Sequence, residues 1–320
     1  MCRELGPASG LVVEELDDPD AGPGQVVVAV EAAGVNYVDA LFIEGRYQIK
    51  PALPFIPGSE VAGVIAALGP GVEGFGVGDR VLASVGLGGF ASRVVVAATS
   101  LFALPANLDT PRAATFTQSY STALFSLRER GRLRPGEKVL VLGAGGGVGL
   151  AAIDVAVALG ATVIAAASTE AKRQAARDAG ASATIDSTSE PLKDRARSLA
   201  GGTGVDLVVD PVGGGLAEAA LRATGDLGRY LVIGFASGGI PSLPLNQVLL
   251  RNRSVVGVDW GAWALNHGDA QQALLSELLG LVGSDRLHPV APTTYPLEQV
   301  AVALDALTGR RVVGKMAVVF

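Results

Sequence analysis

The chain has 320 residues, 49% apolar and 18% charged, enough to bury a sizeable core and too apolar for a disordered polypeptide. With 25 basic against 31 acidic residues and a net charge of −6, it lacks the basic surface of a nucleic-acid or anionic-membrane binder. Its one cysteine, Cys2, forms no intrachain disulfide, and with only two histidines, His267 and His288, a zinc site built on several cysteines is excluded.

The first third reads as β-rich. Gln25–Glu31 and Glu60–Leu68 are apolar runs, and Val77-Gly78-Asp79-Arg80-Val81-Leu82 is a turn leading into a strand. Gly22-Pro23-Gly24, Pro57-Gly58 and Gly69-Pro70-Gly71 punctuate them, as in a small barrel or partly open β domain. A single helix is predicted over Pro111–Arg130, with proline in its first turn.

Strands and helices then alternate. Strands are predicted at Lys138–Leu142, Thr162–Ala167, Ala183–Asp186, Asp206–Asp210, Tyr230–Gly234 and Ser254–Val258. Helices are predicted between them at Gly147–Leu159, Glu170–Asp178, Glu190–Ala200 and Leu216–Thr224. Nearly all-apolar strands separated by helices belong to a parallel sheet covered on both faces, a doubly wound α/β fold. The tail adds helices at Ala270–Val282 and Leu297–Thr308 and a closing strand at Gly314–Phe320. No apolar run reaches the ~18–20 residues of a membrane span. Met1-Cys2-Arg3-Glu4 opens no signal peptide. A cytoplasmic protein with neither membrane nor nucleic-acid partners is expected.

The main chemical signal follows Lys138–Leu142. There Gly143-Ala144-Gly145-Gly146-Gly147-Val148-Gly149 contains Ala144-x-Gly146-x-x-Gly149, a dinucleotide fingerprint with alanine in its first position. A strand precedes it and a helix and second strand follow, which is the context the motif requires. Glycine lets the backbone approach a pyrophosphate, and the helix N-terminus offers it unpaired N–H groups. An NAD site places Asp or Glu at the end of the second strand. Here that strand ends in Ser168-Thr169, the first acid is Glu170, and Lys172 and Arg173 follow. A small polar rim followed by cations favours a 2′-phosphate, hence NADPH. Asp206 and Asp210 read as strand-edge residues rather than a catalytic pair.

Several segments together resemble the medium-chain dehydrogenase/reductase superfamily, within it the zinc-free, zeta-crystallin-like quinone oxidoreductases. They are Gly34-Val35-Asn36-Tyr37-Val38-Asp39, Gly45-Arg46-Tyr47, Pro54–Gly63, Gly78-Asp79-Arg80-Val81, Gly88-Gly89-Phe90-Ala91, Ser121-Thr122-Ala123, the glycine turn and Gly314-Lys315-Met316. The resemblance implies a Rossmann domain over 116–260 and a GroES-like β-rich catalytic domain in two parts, 1–115 and 261–320. Family members open with a short strand ahead of the segment matching Cys2-Arg3-Glu4, so that strand is expected to be missing. Zinc-dependent relatives carry Cys and Gly-His-Glu in the catalytic domain; here the second becomes Gly58-Ser59-Glu60 and no Cys lies near Asn36, so no metal is expected.

By the same resemblance, Tyr47 and Asn36 lie near the nicotinamide and stabilise a developing oxyanion. Thr122 approaches the carboxamide, and Gly234-Phe235-Ala236 and Val258-Asp259-Trp260 border the nicotinamide half. Ser187, beside Asp186, stands where many relatives have an aromatic near the adenine. The implied activity is hydride transfer from NADPH to a quinone or quinone-like enone, in a homodimer. Two other readings stay open, an enoyl-thioester reductase acting on enoyl-CoA or a carrier protein, and a non-catalytic NADPH-binding redox sensor.

Overall fold

In the computed structural model, which describes all 320 residues, the run that starts at Gln25 is an eleven-residue strand, β1 (Gln25–Val35). A short helix, α1 (Tyr37–Ile43), follows. Then come β2 (Glu60–Leu68), β3 (Arg80–Ser84), β4 (Arg93–Ala97), β5 (Leu101–Ala103) and a single turn of helix, α2 (Thr110–Ala113), capped by Asp109 and carrying proline in its first turn.

The predicted helix over Pro111–Arg130 is two helices. Ala114-Thr115-Phe116 interrupts it, and α3 (Thr117–Leu124) then widens into a π-helical stretch at Phe125–Arg130. The second N–H of α3, on Gln118, has no carbonyl of its own helix to bond. It donates instead to Glu60 Oε2 at 3.0 Å. That partner lies 58 residues away in sequence and leaves no trace in the local helical pattern.

The alternation then appears, with α8 an unpredicted addition and β10 starting earlier than Tyr230: β6 (Lys138–Leu142), α4 (Gly147–Ala158), β7 (Thr162–Ala167), α5 (Glu170–Asp178), β8 (Ala183–Asp186), α6 (Leu192–Leu199), β9 (Val205–Asp210), α7 (Ala217–Ala223), β10 (Thr224–Val232), α8 (Leu245–Leu249) and β11 (Ser254–Gly257). The six strands form a wholly parallel sheet in the order β11-β10-β9-β6-β7-β8. Counted from β6, this is the 3-2-1-4-5-6 order of dinucleotide-binding sheets, reversing direction between β6 and β9. Residues 139–142 of β6 and 207–209 of β9 are completely buried, consistent with strands covered on both faces.

Two further helices, α9 (Trp260–Asn266) and α10 (Gly268–Gly283), precede β12 (Thr293–Pro296), α11 (Val300–Thr308) and β13 (Met316–Val319). The last two strands return to the first part of the chain. A seven-stranded sheet runs β12-β13-β1-β2-β3-β5, with β4 also paired to β1. Val26, Val28, Val61, Ile65, Val81 and Val318 are among its buried core. No helix is long and apolar enough to cross a membrane.

The chain divides into one unit of Met1–Gln118 with Ala291–Phe320 and a second of Ser119–Val290. The sequence predicts boundaries after 115 and after 260. The second differs because residues 261–290 pack with the parallel-sheet unit. Trp263 lies against Phe125 with ring centroids 4.7 Å apart. Glu277 pairs with Arg128 at 2.6 Å, Arg286 donates to Ala158 O, and the His288 N–H donates to Asp154.

Candidate active site

The glycine turn leaves the end of β6 beside the point where the sheet order reverses. Three of these glycines have a steric reason. Gly143 has a φ of +57°, a conformation in which a side chain is strained. A Cβ on Gly149 would lie 2.4 Å from Gly143 O, and one on Gly145 2.4 Å from the Lys172 Cβ. These two contacts press the turn onto its own helix and onto the start of α5. A Cβ on Gly146 would meet only Gly143 O, at 3.4 Å. Ala144 is buried and donates its N–H to Ala166 O. Gly146 caps α4, so Gly147, Val148 and Gly149 present the first N–H groups of a twelve-residue helix.

At the end of β7, Ser168 and Thr169 are exposed, and Thr169 Oγ1 accepts the Lys172 N–H as the cap of α5. The Glu170 carboxylate, the nearest acid, is turned into its own helix. Arg177 and Arg173 hold it, and their hydrogen bonds lower its pKa. Arg173 is committed too: it donates to Ala167 O at 3.2 Å and pairs with Asp186 at 3.1 Å. Lys172 stands on the same rim, against the glycine turn. Ser187 closes the neighbouring strand end by donating its N–H to Ala167 O.

The remaining residues expected near a cofactor follow β10 and β11. Gly234 and Ala236 donate their N–H groups to Asp210 O and Pro211 O, and Phe235 is partly exposed. Val258 donates its N–H to Val232 O, Asp259 caps α9 through the Ala262 N–H, and Trp260 Nε1 donates to Gln271. The structure therefore gathers these residues at the carboxyl ends of β6, β7, β8, β10 and β11, the edge where open α/β sheets bind ligands. Thr122 lies half-buried on α3.

The other unit holds Tyr47 and Asn36. Tyr47 follows α1, and its ring packs edge-on against Phe42 with centroids 4.8 Å apart. Asn36 belongs to a buried polar cluster that sequence reading did not assemble. β1 pairs with β2 through Ala33↔Val61 and with β13 through Val35↔Met316. Asn36 just past β1, Glu60 at the head of β2 and Lys315 just before β13 therefore converge at one end of three adjacent strands. Glu60 is 1% exposed. Its Oε1 accepts from Asn36 Nδ2 at 2.9 Å and from Lys315 Nζ at 3.1 Å. Lys315 Nζ also donates to Asn36 Oδ1. Gly34 must be glycine here, since a Cβ would lie 2.6 Å from Glu60 Oε1.

Asp39 sits within this cluster, completely buried, its Oδ2 accepting the Asn36 N–H at 2.8 Å. Burial above all, with a contribution from the Glu60 charge, pushes its carboxyl up to about 7 against the hydrogen bonds from Asn36 and Ser59 and the charge of Lys315. Ser59 accepts from Gln118 Nε2 at 2.7 Å. The signals for Glu60 and Lys315 were present in Gly58-Ser59-Glu60 and Gly314-Lys315-Met316, but neither segment names its partner.

Residues 22–106 match the family described as alcohol dehydrogenase GroES-like domain, and residues 147–278 the one described as zinc-binding dehydrogenase. The quinone oxidoreductase-like protein 2 of Bos taurus is 37% identical over 317 residues, covering 99% of this chain and 90% of its own length. The chain belongs to the quinone oxidoreductase branch of the medium-chain dehydrogenase/reductase superfamily. Members of this branch are oxidoreductases. The quinone oxidoreductase of Escherichia coli, solved in complex with NADPH, superposes with a TM-score of 0.87 at 27% identity, over 99% of this chain and 98% of its own. A mycocerosic acid synthase-like polyketide synthase of Mycobacterium tuberculosis is 34% identical over 98% of this chain, which spans 15% of that longer protein.

The second family's description raises the question of zinc, and the donors present do not fit it. Zinc takes thiolate, imidazole and carboxylate ligands, and no three His, Cys, Asp or Glu residues are grouped to hold a metal. Glu60 faces the Lys315 ammonium, and an added cation would be repelled there.

Proposed function

We propose that this protein is an NADPH-dependent oxidoreductase that reduces quinones or quinone-like enones and uses no metal. The observation that carries the reading is the rim at the end of β7. Ser168 and Thr169 are exposed there, the Glu170 carboxylate is held by arginines, and Lys172 lies against the glycine turn. A 2′-phosphate meets a cation and hydroxyls at such a rim, where the carboxylates of Glu170 and Asp186 are already paired with arginines.

The first N–H groups of α4 bind the pyrophosphate, and the missing Cβ of Gly146 lets the phosphates approach. Ser168, Thr169 and Lys172 hold the 2′-phosphate, with Ser187 beside the adenine. Gly234, Phe235, Ala236, Val258, Asp259, Trp260 and Thr122 border the nicotinamide. When bound, the reduced nicotinamide supplies a hydride. Tyr47 donates a hydrogen bond, and on an enone a proton, to the oxygen that gains charge. The names of the relatives support the acceptor class.

The match to a polyketide synthase favours one second reading, an enoyl-thioester reductase. NADPH oxidation measured with an ortho-quinone, a para-quinone, a simple alkenal and crotonyl-CoA separates the two. Turnover of the quinones is expected, and turnover confined to crotonyl-CoA contradicts the main reading. A cytoplasmic homodimer is part of the same proposal. β11 is an edge strand with Val255 exposed, able to pair across a twofold axis. A monomer by light scattering at micromolar concentration would refute that part.

A further inference from the structure

We infer that Lys315 and Glu60 form a positioning clamp that fixes the Asn36 side-chain amide so that one of its N–H bonds is aimed, unpaired by any strong acceptor, as a donor for the substrate. The inference deepens the proposed reduction and rests on that reading for the identity of the oxygen being bound.

The argument begins with the two ends of the amide. Oδ1 accepts from the Lys315 ammonium, and one Nδ2 hydrogen goes to Glu60 Oε1 at 2.9 Å. Rotating the amide by half a turn would set its N–H₂ against the ammonium and its oxygen against the carboxylate. Donor would face donor and acceptor would face acceptor, so the charges on both sides permit a single orientation. The second Nδ2 hydrogen finds only Gly34 O and Ser59 Oγ, each at 3.5 Å, the outer limit of a hydrogen bond. A partially negative oxygen at normal distance outcompetes either.

The clamp is itself held. Lys315 and Glu60 side chains are 13% and 1% exposed, and Glu60 Oε2 is tied to the Gln118 N–H. The Asn36 backbone is fixed from the other side by Asp39. A donor whose direction is set before substrate arrives needs no reorganisation as charge develops, which is how preorganised donors lower a barrier.

The test is a double-substitution cycle read by kcat on an enone, with NADPH binding followed separately by nicotinamide fluorescence. Lys315→Met and Asn36→Ala are each expected to lower kcat by roughly tenfold or more, while the affinity for NADPH stays within about twofold. The double variant is expected to be no slower than the slower single variant, because Lys315 acts through Asn36. Multiplying losses, or an unchanged kcat in Lys315→Met, overturn the inference.

Should Lys315→Met fail to fold, Lys315→Arg and the uncharged pair Lys315→Met/Glu60→Gln serve instead. Lys315→Arg is expected to keep most of kcat. The uncharged pair is expected to regain stability without regaining kcat, and full recovery of kcat by the pair contradicts the clamp. A readout independent of turnover uses protein labelled with ¹⁵N in asparagine side chains. The two Asn36 amide protons are expected to be well separated in shift, one of them protected from exchange, and to merge toward solvent values in Lys315→Met or in the pair Lys315→Met/Glu60→Gln. Unchanged spectra reject the clamp. Wild-type protein that oxidises NADPH with none of the acceptors rejects the proposed function alone, and the spectra still decide the clamp.

Discussion

Tyr230, inside β10, donates its hydroxyl hydrogen to the Asp210 carboxylate at the end of β9. The other carboxylate oxygen accepts the N–H groups of Val212 and Gly213 at 2.7 and 2.8 Å. Burial and the adjacent negative charge push the phenol's pKa up, so it remains a donor at any working pH. The pair anchors the turn after β9, where Gly213 has a φ of +65° and its hydrogen faces the Phe235 ring, 2.8 Å from where a Cβ would sit.

Tyr230→Phe leaves that buried carboxylate short of one donor. It is expected to destabilise the fold by about 1–3 kcal/mol in denaturant unfolding. It should also raise KM for NADPH more than it lowers kcat, because the turn it anchors borders the proposed nicotinamide side. Unaltered stability would show that the hydrogen bond is energetically silent.

Asp39 sets a pH dependence whose sign is fixed. Its folded pKa of about 7 lies above the ordinary 3.8, so between those values the folded chain holds a proton that the unfolded chain has released. Its stabilising contribution is full below about 4, falls as pH rises to about 7, and is flat above. Asp39→Asn keeps an acceptor for the Asn36 N–H and cannot titrate. Unfolding free energies measured from pH 4 to 8 are expected to fall less steeply in the variant than in the wild type. Identical slopes would place the titration elsewhere.

The parallel sheet was legible in the sequence because its strands are apolar on both faces and its helices begin and end at clear signals such as Thr169 and Gly146. The polar cluster was not, because it is made by strand pairing. Lys315 and Glu60 are 255 residues apart in sequence, and no local pattern announces that β13 lies beside β1. The same nonlocality explains the helix broken at 114–116 and the packing of residues 261–290 with the parallel-sheet unit. Arg128 and Glu277, which bind α10 to its unit, are 149 residues apart. That the Asn36 amide is held at both ends, by Glu60 and Lys315, was not legible either.

Cofactor choice should be reversible at one position. Ser168→Asp sets a carboxylate at the end of β7 that no arginine is placed to neutralise, since Arg173 already serves Glu170 and Asp186. The ratio of kcat/KM for NADPH to that for NADH is expected to fall by roughly tenfold or more through like-charge repulsion. Lys172→Ala should shift it the same way by less. A ratio unmoved by both changes would mean that the 2′-phosphate lies elsewhere.

Tyr47→Phe is expected to lower kcat on an enone by roughly tenfold or more and on a quinone by less, because reduction of a quinone needs less proton help. Phenylalanine keeps the edge-on packing against Phe42, so the comparison isolates the hydroxyl. Equal, negligible effects on both acceptors would remove Tyr47 from the mechanism.

The most direct measurement is the rate of NADPH oxidation with a para-quinone by chelator-treated protein, repeated with NADH. The account predicts turnover unaffected by the chelator and clearly faster with NADPH. Loss of activity on chelation that added zinc restores, or a preference for NADH, would contradict it.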